Sequence, residues 1–292
     1  MENKPFKNPN PVDAVFTEHS FTDGAMYKHI LNKYRSEPDV YLKFLKDIML
    51  NRVLQDINIV NTEQLDNYTV ITDRWGTEYK INSHGLRSKP FADIKDKPVI
   101  VAIGCSITHG TGLDPEEIWI HKLAERLDCE YVNLSMPGCS TSITSMYCAE
   151  YVLKQFTNVK AIFQYTPPPN RVDLLAYTEL DEAQYPLHKQ DVTTHSLLSL
   201  VETDYTSTTS NIIIKGLEHT AFLNYTKDEL LLDYASKLYN VPYIVLDSEQ
   251  FRESQWRRWS LYGQHKARDK QHDGELLHTD IADTFYLKFT DK

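Results

Sequence analysis

Val99–Ile103 is an unbroken run of five apolar residues, and it ends on Gly104-Cys105-Ser106. A run this short, apolar at every position, reads as a strand covered on both faces, the kind found in parallel sheets. Val159–Tyr165 reads as another buried strand, Val241–Leu246 as a further strand, and Tyr131–Leu134 as a shorter one. Between them the period changes to that of a helix: Glu116–Leu127 with Ile118, Leu123, Ala124 and Leu127, Ser142–Phe156, Thr226–Tyr239, and finally Asp280–Phe289. Strands alternating with helices imply right-handed crossovers and an α/β fold, a three-layer α/β/α sandwich with a central parallel sheet.

The flanks read differently. Residues 1–22 carry Pro5, Pro9 and Pro11 and suggest an extended N-terminal arm able to dock on another surface. Residues 23–94 form an N-terminal extension. Helical spacing runs over 25–55, broken at Glu37-Pro38, and Tyr68–Ser83 alternates about Asp73-Arg74-Trp75-Gly76, a hairpin signal. The α/β domain occupies 95–292. Within it "PPPNR", Pro167–Arg171, ends regular structure, and residues 172–225 look like an insertion.

Charge and composition exclude some functions. The net charge is -10 and no dense Lys/Arg block occurs, which argues against nucleic acid or an anionic membrane as partner and favours a neutral or sugar-like small molecule. The first 16 residues contain no apolar h-region, and no run approaches the ~20 apolar residues of a membrane span. The expectation is a cytoplasmic or non-classically released protein. The four cysteines, Cys105, Cys129, Cys139 and Cys148, lack zinc spacing and are expected as free thiols, and no His/Asp/Glu set is spaced for a metal.

Ligands of open parallel sheets bind beyond the carboxyl ends of the strands. Those positions hold Ser106 after the first strand, Gly138 after the second, Asn170 after the third, and "ARDKQHDGELLH", Ala267–His278, after the last. A serine needs a base to become a nucleophile, and His272 supplies one. Asp269, three residues earlier, is placed to fix the imidazole tautomer. The N–H groups of Ser106 and Gly138 and the Asn170 amide form a candidate oxyanion hole. The competing assignments are Cys105 as nucleophile, His109 as base, and Gln164 or Arg171 in place of Asn170. His265 and His278 are left as structural or substrate-facing. A phosphate loop is disfavoured, since "GCSITHGTG" lacks both the Gly-Lys-Ser/Thr ending and Gly-x-Gly-x-x-Gly.

These blocks, in this order, resemble the SGNH hydrolases, the GDSL esterase/lipase family. "VAIGCSITHGTG" is similar to the first block, with Cys105 where the family carries Asp. "VNLSMPGCSTS" is similar to the second, "RDKQH" to the Asp-x-x-His of the last, and "YKINSHGLRS" to a lead-in found in a subset of the family. The third block, usually Gly-x-Asn-Asp, is represented only by "TPPPNR". The resemblance spans about 79–292. It implies an SGNH, flavodoxin-like fold and a cofactor-free serine esterase with Ser106, His272 and Asp269 as triad and Ser106, Gly138 and Asn170 as oxyanion hole. An acetylated carbohydrate or other small ester is the expected substrate. The same residues would serve an O-acyltransferase, and the altered first and third blocks leave open a non-catalytic binding or structural protein of the same fold.

Overall fold

The structure, a computed structural model, describes residues 57–138, 141–167, 171–177, 190–196, 225–255 and 258–291. The arm over 1–22, the helical segment expected over 25–55, Cys139 and Asn170 lie outside the described residues.

The first described elements form a small antiparallel sheet: β1 (Ile59–Leu65), β2 (Tyr68–Asp73) and β3 (Glu78–Asn82), in that order. The β2–β3 hairpin lies where the alternation predicts it. Its turn is organised by the buried Asp73 carboxylate, which accepts the N–H groups of Trp75 and Thr77 at 2.9 Å each. Gly76 takes φ +82°, a conformation that L-residues avoid. Ile57, Ile71, Tyr79 and Ile81 make a separate apolar cluster beneath this sheet.

A short helix, α1 (Phe91–Ile94), leads into β4 (Val99–Gly104). Then follow α2 (Ser106–His109), a 3₁₀ turn (Pro115–Glu117), α3 (Trp119–Arg126), β5 (Glu130–Ser135) and α4 (Ser142–Tyr147), which runs through a π turn (Cys148–Val152) into α5 (Leu153–Gln155). Beyond them lie β6 (Val159–Tyr165), β7 (Arg171–Tyr177), β8 (Gln190–Ser196), α6 (residues 225–239), β9 (Tyr243–Leu246), α7 (Ser248–Ser254), α8 (Trp259–Gln264) and α9 (Glu275–Thr290).

β5, β4, β6 and β9 pair in that order, all parallel. The central strand β4 is buried throughout, because its two faces serve two cores. Val99, Val101 and Ile103 pack with Val132, Leu134 and Ile162 beneath α4, its π turn and α6, through Ile143, Tyr147, Val152, Leu232 and Ala235. Ile100 and Ala102 pack with Ala161, Phe163 and Tyr165 beneath α3 and α9, through Trp119, Leu123, Ile281 and Phe285. Each such side chain contributes ~1.5–3 kcal/mol when fully buried. A parallel sheet flanked by helices is thus the observed architecture, as the alternation of apolar runs and helical periods predicts.

Besides shifts of one or two residues at the ends of β5 and β9, the structure departs from the sequence reading in four places. The helix expected over Glu116–Leu127 is interrupted. Pro115 opens a 3₁₀ turn closed by a capping box of Asp114 and Glu117, and Ile118 is extended before α3 begins. The helix expected over Ser142–Phe156 contains the π turn, whose extra residue per turn a helical period does not reveal. The final helix starts at Glu275 rather than Asp280, directly after Gly274. A Cβ at Gly274 would lie 2.4 Å from the His265 carbonyl oxygen. Regular structure also resumes with the last residue of "PPPNR": β7 begins at Arg171 and pairs antiparallel with β8, so the segment read as a less periodic insertion contains a two-stranded ribbon. Among the described residues no helix is long and apolar enough to cross a membrane.

Candidate active site

In chain order the parallel strands run 2-1-3-4, so the connections reverse direction between β4 and β6. The carboxyl end of the sheet at such a reversal is where open α/β sheets hold ligands. Ser106 stands there, as the first residue of α2, and is only 6% exposed. The strand must end on glycine. A Cβ at Gly104 would meet Thr108 Oγ1 at 2.0 Å and the Tyr165 carbonyl oxygen at 2.9 Å. One turn later Gly110 closes the helix in the left-handed conformation, φ +76°.

The side of α2 is tied to β5. Asn133 Nδ2 donates to the Thr108 carbonyl at 2.9 Å, while Asn133 Oδ1 accepts the Ser135 hydroxyl. Asn133 is the asparagine of the string "VNLSMPGCSTS", and its role here is to hold the turn that carries Ser106. The N–H of Ser106 lies in the first helical turn, where backbone donors have no intrahelical acceptor. Gly138, five residues after Asn133, has φ +69°.

Asp269 and His272 are brought together as their i, i+3 spacing implies. Asp269 Oδ2 faces His272 Nδ1, and Oδ1 accepts the N–H groups of Gln271 and His272 at 3.0 Å each. The carboxylate side chain is 2% exposed and the imidazole 26%. Burial alone would raise the Asp269 pKa. The hydrogen bonds from His272 and Gln271 outweigh it and hold the carboxyl below its ordinary value. The loop bearing the pair is closed on itself: Ala267 N–H donates to the His272 carbonyl at 3.0 Å, Gly274 N–H to the His265 carbonyl at 2.7 Å, and Lys266 pairs with Asp273 at 2.6 Å.

This loop abuts the one that follows Ser106. Arg268 N–H donates to the Gly112 carbonyl at 3.0 Å. A Cβ at Gly112 would lie 3.2 Å from Asp269 Cγ. Among the described residues Ser106 Oγ makes no hydrogen bond, so serine and imidazole share the sheet edge without a direct bond between them. Catalytic hydrogen bonds are often loose in unliganded enzymes and tighten with substrate.

Of the competing residues, His109, Gln164 and Cys105 are buried, and the Arg171 side chain lies outside the described residues. His109 is 1% exposed and stacks on Tyr79, with ring centroids 5.7 Å apart. Burial, with the Arg87 cation, pushes its pKa down to about 3, so it is a poor proton acceptor. His278 is equally buried and uses Nδ1 to accept the N–H of Trp119 at 3.0 Å, capping α3. His265 is exposed. Gln164 is buried, donating to Thr141 Oγ1 at 3.5 Å and accepting the Tyr243 hydroxyl. Cys105, 3% exposed, is a free thiol, as are Cys129 and Cys148. Among the described residues no group of three or more His, Cys, Asp or Glu is placed to hold a metal.

Two residues near the site carry no role in the sequence reading. Arg87 Nη1 donates to the carbonyls of His109 and Gly110 at 3.0 and 2.7 Å, and Nη2 to that of Leu113 at 2.6 Å. The Tyr79 hydroxyl accepts the Gly112 N–H at 2.8 Å and donates to Asp73 Oδ2 at 2.9 Å. Both belong to "YKINSHGLRS", the one signal in the sequence, but nothing in that string names the loop they touch.

No protein-family model matches the chain, and comparison with curated proteins returns no match.

Proposed function

We propose that the chain is a serine ester hydrolase of the SGNH type. The observation that carries the reading is the Asp269–His272 pair, a buried carboxylate gripping a partly exposed imidazole, set against the loop that follows Ser106 at the carboxyl edge of a parallel sheet.

With Nδ1–H donated to Asp269, the basic nitrogen of His272 is Nε2. Ser106 Oγ bonds to the acyl carbon as its proton passes to Nε2. The carbonyl oxygen, now negative, takes hydrogen bonds from the N–H groups of Ser106 and Gly138, and from the Asn170 amide as third donor. One such donor is worth ~3–4 kcal/mol of barrier. The tetrahedral intermediate collapses as Nε2 returns the proton to the leaving alcohol, giving an acyl-serine. Water, deprotonated by Nε2, attacks that ester, releasing the carboxylic acid and restoring Ser106.

A small acyl group on a carbohydrate or other small alcohol is the substrate class that fits the net charge of -10 and the buried, 6% exposed nucleophile. The test is hydrolysis of p-nitrophenyl acetate by the wild type, Ser106→Ala, His272→Ala and Cys105→Ala. Activity lost in the first two variants and kept in the third supports the reading. Wild-type rates from Ser106→Ala overturn it. Adding a sugar acceptor and following acetyl transfer separates hydrolysis from acyl transfer by the same triad.

A further inference from the structure

We infer that Tyr79 and Arg87 are positioning residues for this reaction. Together they register the Ser106 helix against the Asp269–His272 pair through residues 109–113, the last residue of that helix and the loop after it. The inference rests on the reading of Ser106 as nucleophile.

The loop touches both halves of the triad. On one side the Ser106 carbonyl accepts the N–H groups of Gly110 and Thr111, at 3.0 and 3.2 Å. On the other, Gly112 accepts the Arg268 N–H and lies against Asp269. A shift of the loop therefore changes the distance from Ser106 to His272. The loop has one backbone hydrogen bond of its own, Leu113 N–H to the Gly110 carbonyl at 3.1 Å, and left-handed glycines at Gly110 and Gly112. It is held from outside.

Arg87 holds the first half. It is 4% exposed, and the hydrogen bonds from its guanidinium all go to backbone carbonyls: His109, Gly110, Leu113 and, at 3.4 Å, Glu78. Burying a cation without a carboxylate partner is costly. The planar fork reaches three carbonyls of one loop at once, which an ammonium on a flexible stem does not match. The guanidinium carbon also lies 4.6 Å from the centroid of the Tyr79 ring.

Tyr79 holds the second half. Its hydroxyl links the Gly112 N–H to Asp73, and Asp73 is itself fixed by the hairpin turn. Burial raises the phenol pKa, so it stays protonated and can donate to the carboxylate. The rigid hairpin is thereby connected, through one hydroxyl, to the glycine that contacts Asp269. Misplacement of reacting groups by about 1 Å costs on the order of 100-fold in rate.

The experiment compares Tyr79→Phe and Arg87→Lys with the wild type in two readouts: kcat and KM on p-nitrophenyl acetate, and the rate of covalent labelling of Ser106 by a fluorophosphonate. Val152→Ala, in the separate core on the opposite face of the parallel sheet, serves as the control for a stability change that leaves the loop alone. The expected result is a ~10–100-fold fall in kcat and labelling rate for both variants, KM within about threefold, and unchanged kcat for the control. Folded Tyr79→Phe that turns over and labels at the wild-type rate overturns the inference; if Arg87→Lys does not fold, Tyr79→Phe decides alone. Failure of the underlying reading looks different: Ser106→Ala then keeps its activity, and the inference falls with it.

Discussion

Asp269 grips His272 with both of its oxygens: Oδ2 faces the ring Nδ1, and Oδ1 accepts the histidine's own backbone N–H at 3.0 Å. The imidazole is thus fixed in both tautomer and orientation. In Asp269→Asn the amide would donate to Nδ1 and place the ring proton on Nε2, where it blocks proton acceptance from Ser106. The expected outcome is a fall in kcat of ~10³–10⁴-fold at neutral pH with KM changed only a few-fold, measured on a chromogenic acetate ester.

Two buried histidines make stability depend on pH. His109 and His278 are each held near a pKa of about 3 by burial, with the cations around them adding to the effect: Arg87 near His109, and Lys122 and Arg87 near His278. Unfolded, a histidine titrates near 6.5. Between these values only the unfolded chain binds the protons, so stability is complete above pH 6.5 and declines as the pH falls toward 3. The expected loss is about 2 kcal/mol per histidine between pH 7 and pH 5, read from urea unfolding. His278→Gln, which keeps an acceptor for Trp119 N–H, should halve the slope.

Much of this architecture is legible in the sequence, for identifiable reasons. β4 is apolar at every position because both of its faces are covered, a pattern that half-buried strands and surface helices do not produce. The Asp269–His272 contact follows from three-residue spacing in a tight loop. β1 is not legible: it is an exposed edge strand reading Ile-Val-Asn-Thr-Glu-Gln-Leu, without alternation. The break at Ile118 is hidden because its apolar side chain fits the helical period on either side. The role of Arg87 is hidden because its partners are backbone carbonyls, and a sequence does not say which carbonyls converge.

Gly104 opens the turn that carries Ser106 and leaves no room there for a side chain. In Gly104→Ala the new methyl would stand 2.0 Å from Thr108 Oγ1. Either α2 moves or β4 does. The expected result is ~1–3 kcal/mol of destabilisation in chemical denaturation, together with loss of the proposed esterase activity. At Gly76, where a Cβ meets nothing within 4 Å, the φ of +82° alone should cost ~1–2 kcal/mol on substitution by Ala.

Phe285 joins α9 to the sheet. Its ring centroid lies 4.8 Å from that of Trp119 and 5.2 Å from that of Phe163, and it is fully buried. Phe285→Ala should lower stability by ~3–5 kcal/mol, the range for an aromatic cavity, seen as a shift in the urea midpoint with little change in slope.

The central claim is that Ser106 is a nucleophile activated by His272. Treating the protein with a fluorophosphonate reporter, digesting it and locating the adduct by peptide mass tests this directly. The account predicts one adduct, on Ser106, lost in His272→Ala. Labelling on Cys105 instead, or no labelling of the folded wild type, would contradict it.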